Sequence, residues 1–288
     1  MQSAQARCPG SCGELIQGWI TGSEKLVSCP VDWFSDVTVC RGAPHHAERP
    51  LMRAMLTQVV LSLGFPASYA AELSIRWQST LPVARGMASS TADIAATALA
   101  TARLLEYPAS EQQIARWCVA LEPSDSTLFH GLTLFDHLSA RTAIPCPLSP
   151  AMDVLILESD TLLTTAHYHR LDRQQALLKA SDNLAQAWQQ LYLGCLHNDP
   201  QQVGAAATTS AIASQSILPK PGFAQLRKLV DSQDLYGITV AHSGSVVGLL
   251  LNRHQHDVEQ IIALLGARGL TDHYPRQHLV RMIPGGAR

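Results

Sequence analysis

"LPVARGMASSTADIAATALATARLL", residues 81–105, opens with Pro, Gly and small hydroxyl residues and continues as an Ala-rich, almost uncharged run. The spacing predicts a tight loop followed by a helix from about Thr91 to Leu105. Such a junction suits an anion. The first turn of a helix has free N–H groups and partial positive charge, and small residues let phosphate oxygens approach the backbone closely. Ser89, Ser90 and Thr91 add hydroxyls that can bond phosphate or hold a metal ion. A second explanation is open at this point: Ser90-Thr91-Ala92-Asp93 is also an S-x-x-D capping pattern, which by itself accounts for Ser90 and Asp93. Neither G-x-x-x-x-G-K-[ST] nor a G-x-G-x-x-G following a strand occurs in the chain. The uncharged helix 91–105 is expected in the core, without a role as a membrane or partner face.

The remaining composition narrows the class. The chain has 288 residues, 47% hydrophobic and 15% charged, with a formal net charge of −2. That is globular, with ample core material and no Lys/Arg run for nucleic acid or anionic lipid. Seven cysteines with no C-x-x-C pair are expected to be reduced thiols, with no zinc site at Cys8 and Cys12. No apolar h-region opens the chain and no apolar run reaches membrane-spanning length, so a cytoplasmic protein is expected. His45-His46 and His167-x-His169 lack a third ligand at sensible spacing and are expected to be ordinary surface histidines.

Along the chain, 7–20 is turn-rich and 25–40 reads as strand. Residues 50–65 read as helix, 71–79 as strand, and 110–122 as a helix capped by Ser110 and stopped at Pro123. A loop with short strand-like pieces covers 122–137. "AIPCPLSPAMD" (143–153), with three prolines, is the best boundary candidate. Beyond it the pattern reads strand (154–159), helices (about 171–215, broken near Asn198–Pro200), helix (221–232) and strand–turn–strand (236–252). A helix (256–269) and a last strand (277–283) complete it. Mixed strands and helices give an α+β fold with domains 1–148 and 149–288.

Three motifs carry a resemblance. Pro82-x-x-Arg85-Gly86-Met87-Ala88-Ser89-Ser90-Thr91 is similar to the second motif of the GHMP kinases, P-x-x-x-G-L-G-S-S-A, with Met87 and Ala88 in place of Leu and Gly. "CPGSCGELIQG" (8–18) resembles the first motif, and "AHSGSVVGLLL" (241–251) the third. Read without the family, the third is also a plain hairpin turn at Ser243-Gly244-Ser245. The resemblance implies a two-domain GHMP fold, an N-terminal ribosomal-protein-like βαβ domain and a C-terminal ferredoxin-like domain. It implies that residues 82–91 and 243–245 bind ATP, with Ser90, and after it Ser89, toward Mg²⁺. Ser11 stands where many members carry Lys. Any role of that Lys is therefore absent or supplied elsewhere.

The first motif together with "GMASSTAD" is most similar to the branch that phosphorylates the hydroxyl of L-threonine for the nucleotide loop of adenosylcobalamin. For a zwitterionic acceptor, Glu14 suits the ammonium and Ser11 the carboxylate, although a glutamate in a tight turn is also commonly exposed. "LEPSDSTLF" (121–129) offers Asp125 as base or orienting group and Glu122 as a Mg²⁺ ligand. Ser124-Asp125 is also readable as a turn. Arg85 is a phosphate contact or a loop cation, and Lys220 a residue able to reach the acceptor. Homoserine as acceptor, a non-catalytic nucleotide sensor and an RNA-binding module are the rival expectations, the last disfavoured by the net charge.

Overall fold

The computed structural model describes residues 2–161 and 171–288. Its frame is a hairpin of two long strands, β1 (Ser3–Ile20) and β2 (Ser23–Arg41), turned at Thr21-Gly22, both at positive φ. That pair of left-handed residues matches the twist of a tight hairpin. Residues 7–20, expected to be turn-rich, are therefore strand. The Pro and Gly signals there mark register shifts at Pro9/Ser11, Ser11/Glu14 and Glu14/Ile16. Bulges bend a strand without ending it.

After β2 come α1 (Pro50–Ser62), α2 (Ala67–Ala70), β3 (Leu73–Ser79), α3 (Ser89–Leu104) and α4 (Glu111–Leu121). Pro50 begins α1, where its missing N–H costs nothing. Ser110 caps α4 by accepting from the Gln113 N–H. Short strands β4 (Thr133–Phe135) and β5 (Ala143–Pro145) complete this half, so the proline-rich boundary segment itself holds a strand.

The second half runs β6 (Asp153–Glu158), α5 (Gln174–Lys179), α6 (Ser181–Leu196), α7 (Pro200–Ser214) and α8 (Phe223–Ser232). It ends with β7 (Gly237–Val240), β8 (Val247–Leu251), α9 (Val258–Ala267) and β9 (Arg276–Arg281). Its strands lie in the order β7-β8-β6-β9, all antiparallel. Second, third, first, fourth, with helices after the first and third, is the ferredoxin-like arrangement.

One sheet joins the halves, in the order β5-β4-β2-β1-β7-β8-β6-β9, with β3 also on β2. The junction is narrow: Glu14 pairs with Val240, and Val31 bridges Met282. Helix α3 lies against β1 and β2 beside α1 and α4, and is buried almost along its whole length. Its Ala and Thr positions permit that close packing, and Thr97 and Thr101 return their hydroxyls to carbonyls one turn earlier. The expected core helix is thus observed. No helix among the described residues is long and apolar enough to cross a membrane.

Candidate active site

Helix α3 begins without a side-chain cap. Its N-cap is Ala88, in the left-handed conformation (φ 54), which makes no side-chain cap bond, and among the described residues no side chain accepts from the first turn. The capping explanation of Ser90 and Asp93 is thereby overturned: both lie inside the helix and their side chains go elsewhere. The Ser90 hydroxyl donates to Glu122 Oε1. Buried Asp93 accepts from Ser35 Oγ at 2.5 Å and pairs with Arg49. The opening N–H groups of α3 are left for a ligand.

The loop preceding α3 is packed by close backbone contact. A Cβ on Gly86 (φ +82) would overlap Ala241 and Gly244, and a Cβ on Gly244 would overlap Arg85 and Gly86. The Ser245 and Val246 N–H groups both donate to the Arg85 carbonyl at 3.0 Å. The first motif joins the same junction. Ser11 N–H donates to Met87 O at 3.1 Å, and Gly13, at φ +62, lies against the Val240–Ala241 backbone. Residues 8–18, 82–91 and 241–246 therefore meet at one place.

The side chains divide by what they already bind. Arg85 turns its guanidinium to the Ser159 and Thr161 carbonyls and to Glu158, 3.6 Å away. Ser245 Oγ donates to Thr161 O at 2.7 Å. Met87 is core, and Ser89 is buried at the helix start. Ser243 keeps partial exposure on the turn, and Pro82 lies half-buried at the loop entrance. The Ser11 hydroxyl is buried with no protein partner among the described residues.

Glu14 is 4% exposed, so the solvent-exposed turn residue is excluded. Its Oε2 accepts from the His242 backbone N–H at 2.8 Å and faces His242 Nδ1 at 2.9 Å. Lys220, on its loop between prolines, is also buried and donates from Nζ to Gly244 O at 2.7 Å. Burial lowers its pKa to about 8, against the opposing pull of the Glu14 carboxylate.

Asp125 follows Pro123 in the turn that leaves α4 and enters a short 3-10 helix at Ser126–Leu128. Its Oδ2 accepts from Thr91 Oγ1 at 3.2 Å, and its own N–H donates back to that hydroxyl at 3.0 Å. Ser28 Oγ reaches Oδ1 at 3.4 Å. Burial, then the negative charges of Glu14 and Glu122, raise the Asp125 carboxyl to about 7, while the Thr91 and Ser28 bonds hold it down. Burial also raises Glu122, with Asp93 adding to it and the Ser90 bond opposing. The result is a carboxylate able to take a proton near neutrality beside a helix start able to hold an anion.

His242, Ser28 and the Thr91–Asp125 pair escaped the sequence reading. Only His242 left a signal, as the residue directly before Ser243. His45 and His46 lie on the surface with their rings tilted against each other, and His167 and His169 are outside the described residues. No cluster of three or more metal-ligating His, Cys, Asp or Glu exists among the described residues, and all seven cysteines are free thiols.

The GHMP kinases N terminal domain family matches residues 52–132. An L-threonine kinase of Salmonella typhimurium is 54% identical over 285 residues, covering 99% of this chain and 95% of the relative. An L-threonine kinase of Citrobacter freundii is 53% identical over 283 residues, covering 98% of each. Among solved structures, homoserine kinase from Cytophaga hutchinsonii superposes with a TM-score of 0.72 at 16% identity, covering 100% of this chain and 98% of that one.

Proposed function

Because the chain belongs to the GHMP kinase family, we propose that it transfers the γ-phosphoryl group of ATP to the hydroxyl of L-threonine. The products are O-phospho-L-threonine and ADP, for use in building the nucleotide loop of adenosylcobalamin. The observation that carries the acceptor is the 54% identity, across nearly the whole chain, to an L-threonine kinase. A cytoplasmic setting agrees with seven unpaired thiols.

The geometry supports a division of labour. Residues 1–148 and 149–288 act as two lobes, and the contacts of Gly13 and Gly86 with the 241–246 turn support a site where the lobes meet. ATP lies with its phosphates at the uncapped start of α3, along Pro82–Thr91, under the Ser243-Gly244-Ser245 turn. Arg85 shapes that loop through its carbonyl, while its side chain anchors the loop to the end of β6. Threonine's ammonium is received by Glu14, whose Oε1 accepts no hydrogen bond from the described residues. Ser11, whose hydroxyl has no partner among the described residues, donates to the threonine carboxylate.

Asp125 orients the threonine hydroxyl. Its oxygen attacks the γ-phosphorus, the bond to the β,γ-bridging oxygen breaks, and ADP leaves. The hydroxyl proton passes to Asp125 Oδ as the new bond forms. With a carboxyl near 7, that transfer needs no strong base, because the hydroxyl acidifies as its oxygen bonds phosphorus. Lys220 supplies positive charge beneath the third motif, on a chain whose first motif has Ser11 in place of Lys.

Mg²⁺ fits the residues present. Ser90 Oγ and Glu122 Oε1 are oxygen donors brought together, and the Glu122 carboxylate is desolvated without a cationic partner among its bonds. Ser90 and Glu122 would hold the ion, which when bound neutralises phosphate charge. The test is ADP release from Mg-ATP with L-threonine, L-serine and L-homoserine compared by kcat/KM. Preference for threonine with phosphothreonine as product is expected. Preference for homoserine moves the acceptor within the family, and nucleotide binding without acceptor-dependent turnover defeats the reading in favour of a sensor.

A further inference from the structure

His242 stands at a crossing of three elements. Its Nδ1 lies 2.9 Å from Glu14 Oε2 on β1 and 3.2 Å from Val240 O. Its Nε2 lies 3.2 Å from Ser210 Oγ on α7, and Ser210 Oγ accepts from the Gln17 N–H of β1 at 3.0 Å. Both neighbours of Nδ1 are acceptors, so a proton is assigned to Nδ1. With the Gln17 N–H on Ser210 Oγ, the Ser210 O–H is assigned to Nε2. The donors run one way, from Gln17 N–H through Ser210 O–H and His242 Nδ1–H to Glu14. Each bond in such a chain polarises the next. Glu14, His242 and Ser210 are all at least nine-tenths buried, so the array is shielded from water.

Both bonds from His242 end on Oε2 of Glu14. Oε2 is thus taken up by the protein, while Oε1 accepts no hydrogen bond from the described residues and is left for a cation. A buried carboxylate satisfied on one side only has a strong demand for a partner on the other. His242 is also the residue before Ser243-Gly244-Ser245. That turn is tied to the phosphate loop by Ser245 and Val246 N–H on Arg85 O, and to Lys220 by the Gly244 carbonyl. A shift of the turn on nucleotide binding therefore reaches the Glu14 clamp across a single residue.

We infer that His242 is a positioning residue that ties the amino-acid site to the nucleotide loop: it aims Glu14 Oε1 at the acceptor's ammonium, and makes acceptor affinity depend on bound nucleotide. The inference rests on the threonine-kinase reading. It predicts reciprocal tightening, in which each ligand strengthens the other by the same factor.

The experiment measures L-threonine dissociation constants by calorimetry on the full chain, with and without Mg²⁺ and a non-hydrolysable ATP analogue. Steady-state kinetics accompany it. In the wild type, threonine is expected to bind at least about fivefold tighter with the analogue present. His242→Gln keeps an amide toward Ser210 but withdraws the side-chain donor from Glu14, leaving only the backbone N–H of position 242 on Oε2. It should bring that ratio to about one and raise the threonine KM about tenfold, with kcat changed less than about threefold. His242→Asn restores a donor at the Nδ1 position and should return both quantities to within about threefold of wild type. A wild-type ratio of one, or His242→Gln with the wild-type ratio and KM, overturns the inference. So does equal loss of kcat and thermal stability in both variants, which marks a purely structural histidine. A wild type with no threonine-dependent ADP release defeats the threonine reading itself, and the inference with it, before any variant is made.

Discussion

Thr91 and Asp125 hold each other reciprocally: the Thr91 hydroxyl donates to Asp125 Oδ2 at 3.2 Å and accepts from the Asp125 N–H at 3.0 Å. The first turn of α3 is thereby locked to the carboxylate proposed for the acceptor hydroxyl. Positioning dominates phosphoryl transfer, so this pair has kinetic consequences. Asp125→Asn should lower kcat by about 10²–10⁴-fold with threonine KM changed far less. In the wild type, kcat should fall as pH drops below about 7, where the raised Asp125 carboxyl becomes protonated. Thr91→Val removes a bond that holds that pKa down, so its acid limb should move to higher pH. A kcat–pH profile without a limb near 7, unchanged in both variants, removes Asp125 from proton transfer.

The alkaline side should belong to Lys220. Its ammonium is favoured below about 8 and is lost above, because burial disfavours the charged form. Activity should therefore decline as pH rises past about 8. Lys220→Arg, whose guanidinium stays charged, should abolish the decline even if its larger head raises the ATP KM. An unaltered alkaline limb in Lys220→Arg would mean that another group titrates there.

Ser90 and Glu122 share one hydrogen bond and are assigned to the same ion. Ser90→Ala and Glu122→Gln should each raise the Mg²⁺ concentration for half-maximal activity, by about 10–100-fold. Excess Mg²⁺ should recover part of the lost rate. Titration of ADP release against Mg²⁺ at saturating ATP measures this, and midpoints equal to wild type would take both residues away from the metal.

Gly244→Ala tests the seam between the loop preceding α3 and the third motif. The added methyl overlaps the Arg85 carbonyl and Gly86 backbone, neither of which can rotate away. We expect a loss of about 1–3 kcal/mol in unfolding free energy, a raised ATP KM and an unfolding transition that remains cooperative. Denaturant unfolding and nucleotide titration report the two effects separately.

Much of the fold was legible locally. The helix behind the loop at 82–88, the Ser110 cap, the strand at 25–40 and the break at Asn198–Pro200 follow from periodicity and from Pro, Gly and Ser chemistry, which act over a few residues. Residues 7–20 misled for the same reason. Their Pro and Gly are read locally as turns, whereas pairing with β2 along nearly the whole stretch carries the strand through three register shifts. The S-x-x-D pattern at Ser90 failed similarly. A cap requires the serine to stand outside the helix, whereas α3 starts at Ser89 with Ala88 as its N-cap, so Ser90 lies within the first turn.

The sequence by itself determined the α+β class, the three small-residue motifs, their order and the hydroxyl and carboxylate types they contain, because each is written in neighbouring residues. Only the tertiary structure decided which groups face one another. Glu14 and His242 are 228 positions apart and 2.9 Å apart in space. Asp125 reaches about 7 only because the chain buries it near Glu14 and Glu122. Burial and charge proximity are properties of the packed chain, since desolvation and Coulomb energy depend on distance in space, which spacing along the chain does not encode.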